Sequence, residues 1–130
     1  MTRRLRSALA VVAACLVAGV AVLVSAAPAA APGRLLVTGK EYDLTLSRST
    51  VAAGRVTIQL LNRGEDDHDL RLRRITHRSG TPVARWALTK PGDVSDLTVR
   101  LSRGRYRLWC SLPGHRELGM RATLRVSRSR

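Results

Sequence analysis

Gly104-Arg-Tyr106-Arg-Leu108-Trp-Cys110-Ser-Leu-Pro-Gly-His115-Arg-Glu-Leu-Gly-Met120-Arg-Ala122-Thr-Leu124-Arg-Val126 holds two alternating runs joined by one loop. Tyr106, Leu108 and Cys110 fall on one face of the first run, and Ala122, Leu124 and Val126 on one face of the second. Period two is the mark of a half-buried strand with one wet side. Pro113-Gly114 permits a tight bend between the runs, and Gly119 frees the backbone just before Met120. The expectation is two neighbouring strands, with Cys110 closing one and Met120 opening the other. Both then face inward, with His115 on the loop between.

The same periodicity extends upstream. Tyr42, Leu44 and Leu46 alternate with polar residues, as do Val56, Ile58 and Leu60, Leu70 and Leu72, and Leu97, Val99 and Leu101. Turn residues punctuate these runs at Ala53-Gly54, Asn62-Arg-Gly64, Ser79-Gly-Thr-Pro82, Pro91-Gly-Asp93 and Arg103-Gly104. Short strands at this spacing predict an all-β domain, an antiparallel sandwich or barrel. No long amphipathic helix is legible. Residues 74–93 are the least regular section, with room for one helical turn. With no phenylalanine in the chain, the core must rely on Leu, Val, Ile, two Trp and two Tyr.

The first 29 residues read differently. Met1-Thr-Arg-Arg-Leu-Arg is cationic, Ala8 to Val24 carries no charge, and Val24-Ser-Ala26 and Ala27-Pro-Ala29 resemble cleavage signals. A secretory signal peptide cut after Ala26 or Ala29 is expected, leaving a domain of residues 30–130. The alternative is an uncleaved membrane anchor through residues 8–27. Cys15 lies inside the apolar run, so an exported domain keeps Cys110 as its single cysteine. In an oxidising compartment a leftover thiol points to intermolecular pairing, a free reactive group or a metal bond.

Cys110, His115 and Met120 place a thiolate, an imidazole and a thioether within eleven residues. Soft sulfur with imidazole suits copper, whereas magnesium, calcium and manganese prefer oxygen. A trigonal two-His, one-Cys site with a weak axial Met needs one more histidine. Of the three in the chain, His77 sits among loop residues, while His68 is in phase with Leu70 and Leu72 and so faces inward. A buried imidazole needs a polar partner, and a metal supplies one. Taken singly, His68 also reads as a core histidine bonded to a carbonyl, Cys110 as an inert thiol and Met120 as core filler. The Cys-x4-His-x4-Met spacing argues for their convergence on one copper ion.

These residues resemble the cupredoxin family of small blue copper proteins. Gly104-x-Tyr106-x-Leu108-x-Cys110, Pro113-Gly114-His115 and Gly119-Met120 are close to that family's C-terminal signature. Four residues on either side of His115 resemble the ligand loop of auracyanin and rusticyanin more than plastocyanin's shorter one. Asn62-x-Gly64-x-x-x-His68 is similar to the family's first-histidine motif. The resemblance implies a Greek-key β-sandwich of about seven or eight mostly antiparallel strands. It implies copper ligation by His68, Cys110, His115 and Met120, and one-electron transfer as the function. It also implies that the residue after the first histidine ties to the residue after the cysteine. Those positions hold Asp69 and Ser111, and Asp accepts hydrogen bonds but does not donate as the family's usual Asn does. Leu112, Pro113 and Leu118 would form the apolar patch through which His115 passes electrons.

The net charge is +14; without Arg3, Arg4 and Arg6 it is +11, from 20 basic and 9 acidic residues. Such a field favours anionic partners, an acidic redox protein among them. Nucleic acid is not expected of an exported chain with 3% aromatics. Glu65, Asp66, Asp67 and Asp69 gather beside His68, either as a solvated turn or as a device lowering the potential of an oxidised site. A monomeric electron carrier is the leading expectation. A copper delivery or storage protein, and a metal-free interaction domain, are the alternatives. Enzymes of this superfamily need further histidines for extra copper centres, and a binuclear site needs a second cysteine, so an enzyme is not expected.

Overall fold

The computed structural model describes residues 30–76 and 82–129. The expected signal segment and His77 lie outside the described residues. Nine strands form: β1 (Gly33–Lys40), β2 (Asp43–Leu46), β3 (Thr50–Ala52), β4 (Gly54–Asn62), β5 (Arg71–Arg74), β6 (Ala84–Arg85), β7 (Val94–Leu101), β8 (Gly104–Trp109) and β9 (Arg121–Ser127). They build two sheets, ordered β2-β1-β4-β7 and β3-β9-β8-β5-β6. The alternation read from the sequence thus becomes an all-β sandwich with three strands, β1, β3 and β6, that the periodicity did not mark. Pairing is mostly antiparallel; β1 with β4 and β3 with β9 are parallel.

Alternation places the core where expected. Leu35, Val37, Val56, Ile58 and Leu60 from one sheet meet Leu72, Tyr106, Leu108, Leu124 and Val126 from the other. The expectation of a helical turn in residues 74–93 does not hold among the described ones. Residues 84–85 form β6, and just after it Trp86 buries its ring, with the indole Nε1–H donating to the Ile58 carbonyl at 3.0 Å across the sandwich. Two further readings need adjustment. Leu97 is in phase with Leu101, yet β7 is a sheet edge and Leu97 stays 36% exposed. Tyr42 leaves the Leu44 face altogether, since it sits in the β1–β2 turn at φ 64°.

The register of β8 against β9 fixes the loop between them. Trp109 faces Arg121 and Leu108 faces Ala122. Cys110 and Met120 are therefore directly beyond the last paired residues, at one end of the sandwich. His68 arrives at the same end, just before β5.

Candidate metal centre

Asn62, the buried last residue of β4, organises the chain leading to His68. Its Nδ2 donates to the carbonyls of Asp66 at 2.7 Å and Thr89 at 2.8 Å, and its Oδ1 accepts from the Gly64 N–H at 2.9 Å. His68 then pairs with Thr89 by two backbone bonds, of 3.0 and 2.7 Å. That bridge holds the imidazole wholly inside, in line with Leu70 and Leu72.

The second segment is held by its own backbone. The Cys110 N–H donates to the Met120 carbonyl at 3.1 Å, and the Met120 N–H to that of His115 at 2.9 Å. Gly114 and Gly119 have φ of 80° and 125°, conformations that side chains with a Cβ rarely adopt. At Gly119 a Cβ would also meet the Tyr42 carbonyl oxygen at 2.9 Å. The β1–β2 turn therefore packs directly on the loop.

One donor atom each from His68, Cys110 and His115 lies within 4.8 Å of the others. Cys110 Sγ is 3.7 Å from His115 Nδ1, and the two imidazoles stand edge to face at 5.3 Å between centroids. Met120 is fully buried, and its Cε lies 3.2 Å from the position a Cβ on Gly39 would take. His68 Cδ2 is 3.5 Å from that same position. The end of the thioether and the edge of the first imidazole thus meet over a residue with no side chain.

The electrostatics suit an ion. Both ring nitrogens of His68 are buried without a hydrogen-bond partner, a loss of about 1–3 kcal/mol for each unmade bond. Nε2 faces the Glu41 carboxylate, with Oε1 at 3.6 Å, and among the described residues no charged group faces Nδ1, so Nδ1 is the better placed to take a metal. Burial pushes the His68 pKa down, opposed by the Glu41 charge, and so leaves the imidazole neutral with a lone pair to give. Burial likewise pushes the Cys110 thiol up, with backbone hydrogen bonds from Asp69 and Leu112 pulling the other way. A metal ion inverts that balance, because a coordinated thiol loses its proton. Two imidazoles and a thiolate, with a thioether alongside, fit a single copper ion.

Around the donors, Asp69 connects the two segments. Its Oδ1 accepts from the Ser111 N–H at 2.6 Å, and its Oδ2 from the Ser111 hydroxyl at 2.5 Å. Arg71 pairs with the same carboxylate at 2.8 Å and donates to Ser111 Oγ at 3.2 Å. An acceptor-only side chain makes the connection because Ser111 brings two donors. Leu112 is half-buried and Pro113 exposed, and Leu118 is 63% exposed; together they flank the half-buried His115.

Glu41 and Tyr42 escape any reading of spacing. Glu41 Oε1 accepts from the N–H groups of Glu65 at 2.5 Å and Asp66 at 3.0 Å, which brings its pKa down to about 2. Tyr42 stands edge-on to His115 at 5.6 Å. Asp66 serves this loop through its backbone, while its side chain is exposed, so Glu41 supplies the carboxylate facing His68.

No family model matches the sequence, and no curated protein matches it. Solved structures do. Reduced auracyanin from Roseiflexus castenholzii superposes with a TM-score of 0.62 at 17% identity, covering 75% of this chain and 99% of that one. Auracyanin A of Chloroflexus aurantiacus, described as a blue copper protein, gives 0.60 at 19%, covering 75% and 100%. Auracyanin B gives 0.62 at 18%, covering 76% and 92%. The chain has the cupredoxin fold. In that fold the convergence of His68, Cys110 and His115 falls at the end of the sandwich where β8 and β9 are joined.

Proposed function

We propose that this chain is an exported mononuclear type 1 copper protein that carries one electron at a time. The observation behind this reading is the meeting of a buried thiol with two imidazoles, one of them buried and unpaired. The likeness to auracyanins, one of them a blue copper protein, supports the same ion. His68, Cys110 and His115 would hold the ion, with the Met120 thioether as a weaker fourth donor. Bound copper supplies the one-electron couple.

The chain's own residues do the rest. The Asn62 hydrogen bonds and the Thr89 bridge hold His68 in place, and the Asp69–Ser111 bonds hold the ligand loop against β5. Ligands that barely move between oxidation states keep reorganisation small. Burial of Cys110 keeps water from the sulfur, and His115 carries the electron outward through the Leu112, Pro113 and Leu118 patch. An acidic redox protein suits the basic chain as partner.

The test is a visible spectrum of the chain loaded with copper(II), beside Cys110→Ser. An intense thiolate-to-copper band, absent from the variant, is the expected result. A colourless wild-type protein sinks the proposal. Ready loss of copper to an apo acceptor, with slow self-exchange, would favour delivery over electron transfer.

A further inference from the structure

The five-stranded sheet turns a strongly basic face to solvent. Its strands contain eight arginines and no acidic residue, whereas the four-stranded sheet, with longer strands, contains four basic and two acidic ones. A general bias towards arginine would load both sheets alike. Alternation sends Arg73, Arg85, Arg105, Arg107, Arg121 and Arg125 outward, because Leu72, Ala84, Tyr106, Leu108 and Leu124 point into the core. The register sets like charges directly opposite each other, Arg73 against Arg107 and Arg105 against Arg125. Arg73 lies over the Trp109 ring at 5.7 Å, whereas a like-charge pair such as Arg105 and Arg125 opposes folding, a cost that a bound anion would reduce.

Two arginine-lined depressions lie on it. One, of about 340 Å³, is bounded by Arg73, Arg107, Trp109 and Arg121, with Arg116 and Glu117 at its rim. Those last two residues pair with each other at 3.0 Å. The other, of about 650 Å³, is bounded by Arg103, Arg105, Arg125 and Arg128 at the far end of β8 and β9. Arg121 and Arg125 are four steps apart along β9, about 13–14 Å. The charge therefore runs along the whole sheet and is not gathered round His115, where a redox protein would dock.

We propose that this face binds an anionic membrane surface, with phospholipid headgroup phosphates occupying both arginine-lined depressions. A planar array of phosphates matches charge spread along a sheet, and guanidinium groups chelate phosphate oxygens. Trp109, half-buried at the edge of one depression, is the kind of side chain found at headgroup level. Arg116 and Glu117 belong to the ligand loop, so one side of that loop borders the bound surface. The proposal depends on the sheet alone and not on copper.

The test uses the metal-free full chain and sedimentation with vesicles of phosphatidylcholine, with or without phosphatidylglycerol. Comparing charge variants within the full chain cancels any contribution of the N-terminal segment. The variant R105Q/R107Q/R121Q/R125Q should bind anionic vesicles at least a hundredfold more weakly, at about fivefold per arginine. It should melt no lower than wild type, because repulsion is relieved. The charge-matched variant R34Q/K40Q/R55Q/R100Q, on the other sheet, should keep most of the binding. Equal losses in both variants, or no preference for anionic vesicles, would overturn the proposal. Tighter binding to soluble polyglutamate than to vesicles of equal charge at the same salt would overturn it in favour of an acidic protein.

Discussion

Asp69 shows how one side chain can set the stiffness of a metal centre. It takes two hydrogen bonds from Ser111 and an ion pair from Arg71, and its own carboxylate is buried although Ser111 is exposed. Asp69→Ala should destabilise the chain by about 2–3 kcal/mol, since charged hydrogen bonds are lost and Arg71 is left without its partner. Ser111→Ala removes one hydroxyl donor and keeps the backbone bond, so it should lose only about 1 kcal/mol. Urea unfolding of both variants checks the ratio. Glu41 acts from outside the donor set. Its pKa is depressed from 4.5 to about 2 by backbone hydrogen bonds, chiefly from Asp66. The stability it contributes is therefore complete above pH 4.5 and is lost as the pH falls towards 2. Glu41→Gln should flatten that acid limb in the metal-free chain. In the copper form it should raise the midpoint potential by tens of millivolts, because a negative charge beside His68 favours the oxidised ion; an unchanged potential at low salt would remove Glu41 from that role. The three donors that converge, His68, Cys110 and His115, were legible as residues because sulfur and inward-facing histidine are rare in this chain. Glu41 was not, because it reaches the loop from 24 residues away with no motif to mark it.

Among the elements, those whose faces differ most in polarity could be read directly. β4, β8 and β9 alternate cleanly, and each buries the side that its sequence indicates. β3 and β6, of three and two residues, are too short to carry a period. β1 hides its sidedness because Leu35, Leu36 and Val37 are all apolar, although Leu36 stays 38% exposed. Its parallel pairing with β4 is a long-range choice that no local pattern encodes. β6 shows what fixes such a segment instead. Ala84 buries its methyl group, and Trp86 follows into the core with its indole on the Ile58 carbonyl. Trp86→Phe keeps most of the volume and removes that bond, so a loss of about 1–2 kcal/mol is expected. Trp86→Ala should lose about 3–5 kcal/mol through the cavity it leaves. If thermal melts gave equal losses for the two, the bond and not the packing would be what holds this segment.

At the scale of the molecule, the candidate metal centre is an extension of the core. His68 and Met120 are sealed in beside Gly39 of the opposite sheet, while the imidazole has no partner for either nitrogen. Gly39 and Gly64 leave the room this needs, for a Cβ on Gly64 would come within 2.8 Å of His68 Nε2. An ion that joins His68 to the β8–β9 loop binds the folded chain and not the unfolded one, so its affinity appears as stability. With free copper at a hundred times the dissociation constant, the gain is about 2.7 kcal/mol. For a domain of roughly 100 residues that raises Tm by about 10–20 °C. Replacing Cys110 by Ser removes the thiolate and should shrink the shift to a few degrees, while Met120→Leu should keep most of it, because a thioether would be a weaker donor than a thiolate or an imidazole. Calorimetry with and without copper(II) distinguishes these outcomes. Equal shifts in wild type and Cys110→Ser would mean that the copper sits elsewhere, on surface groups the sandwich does not gather.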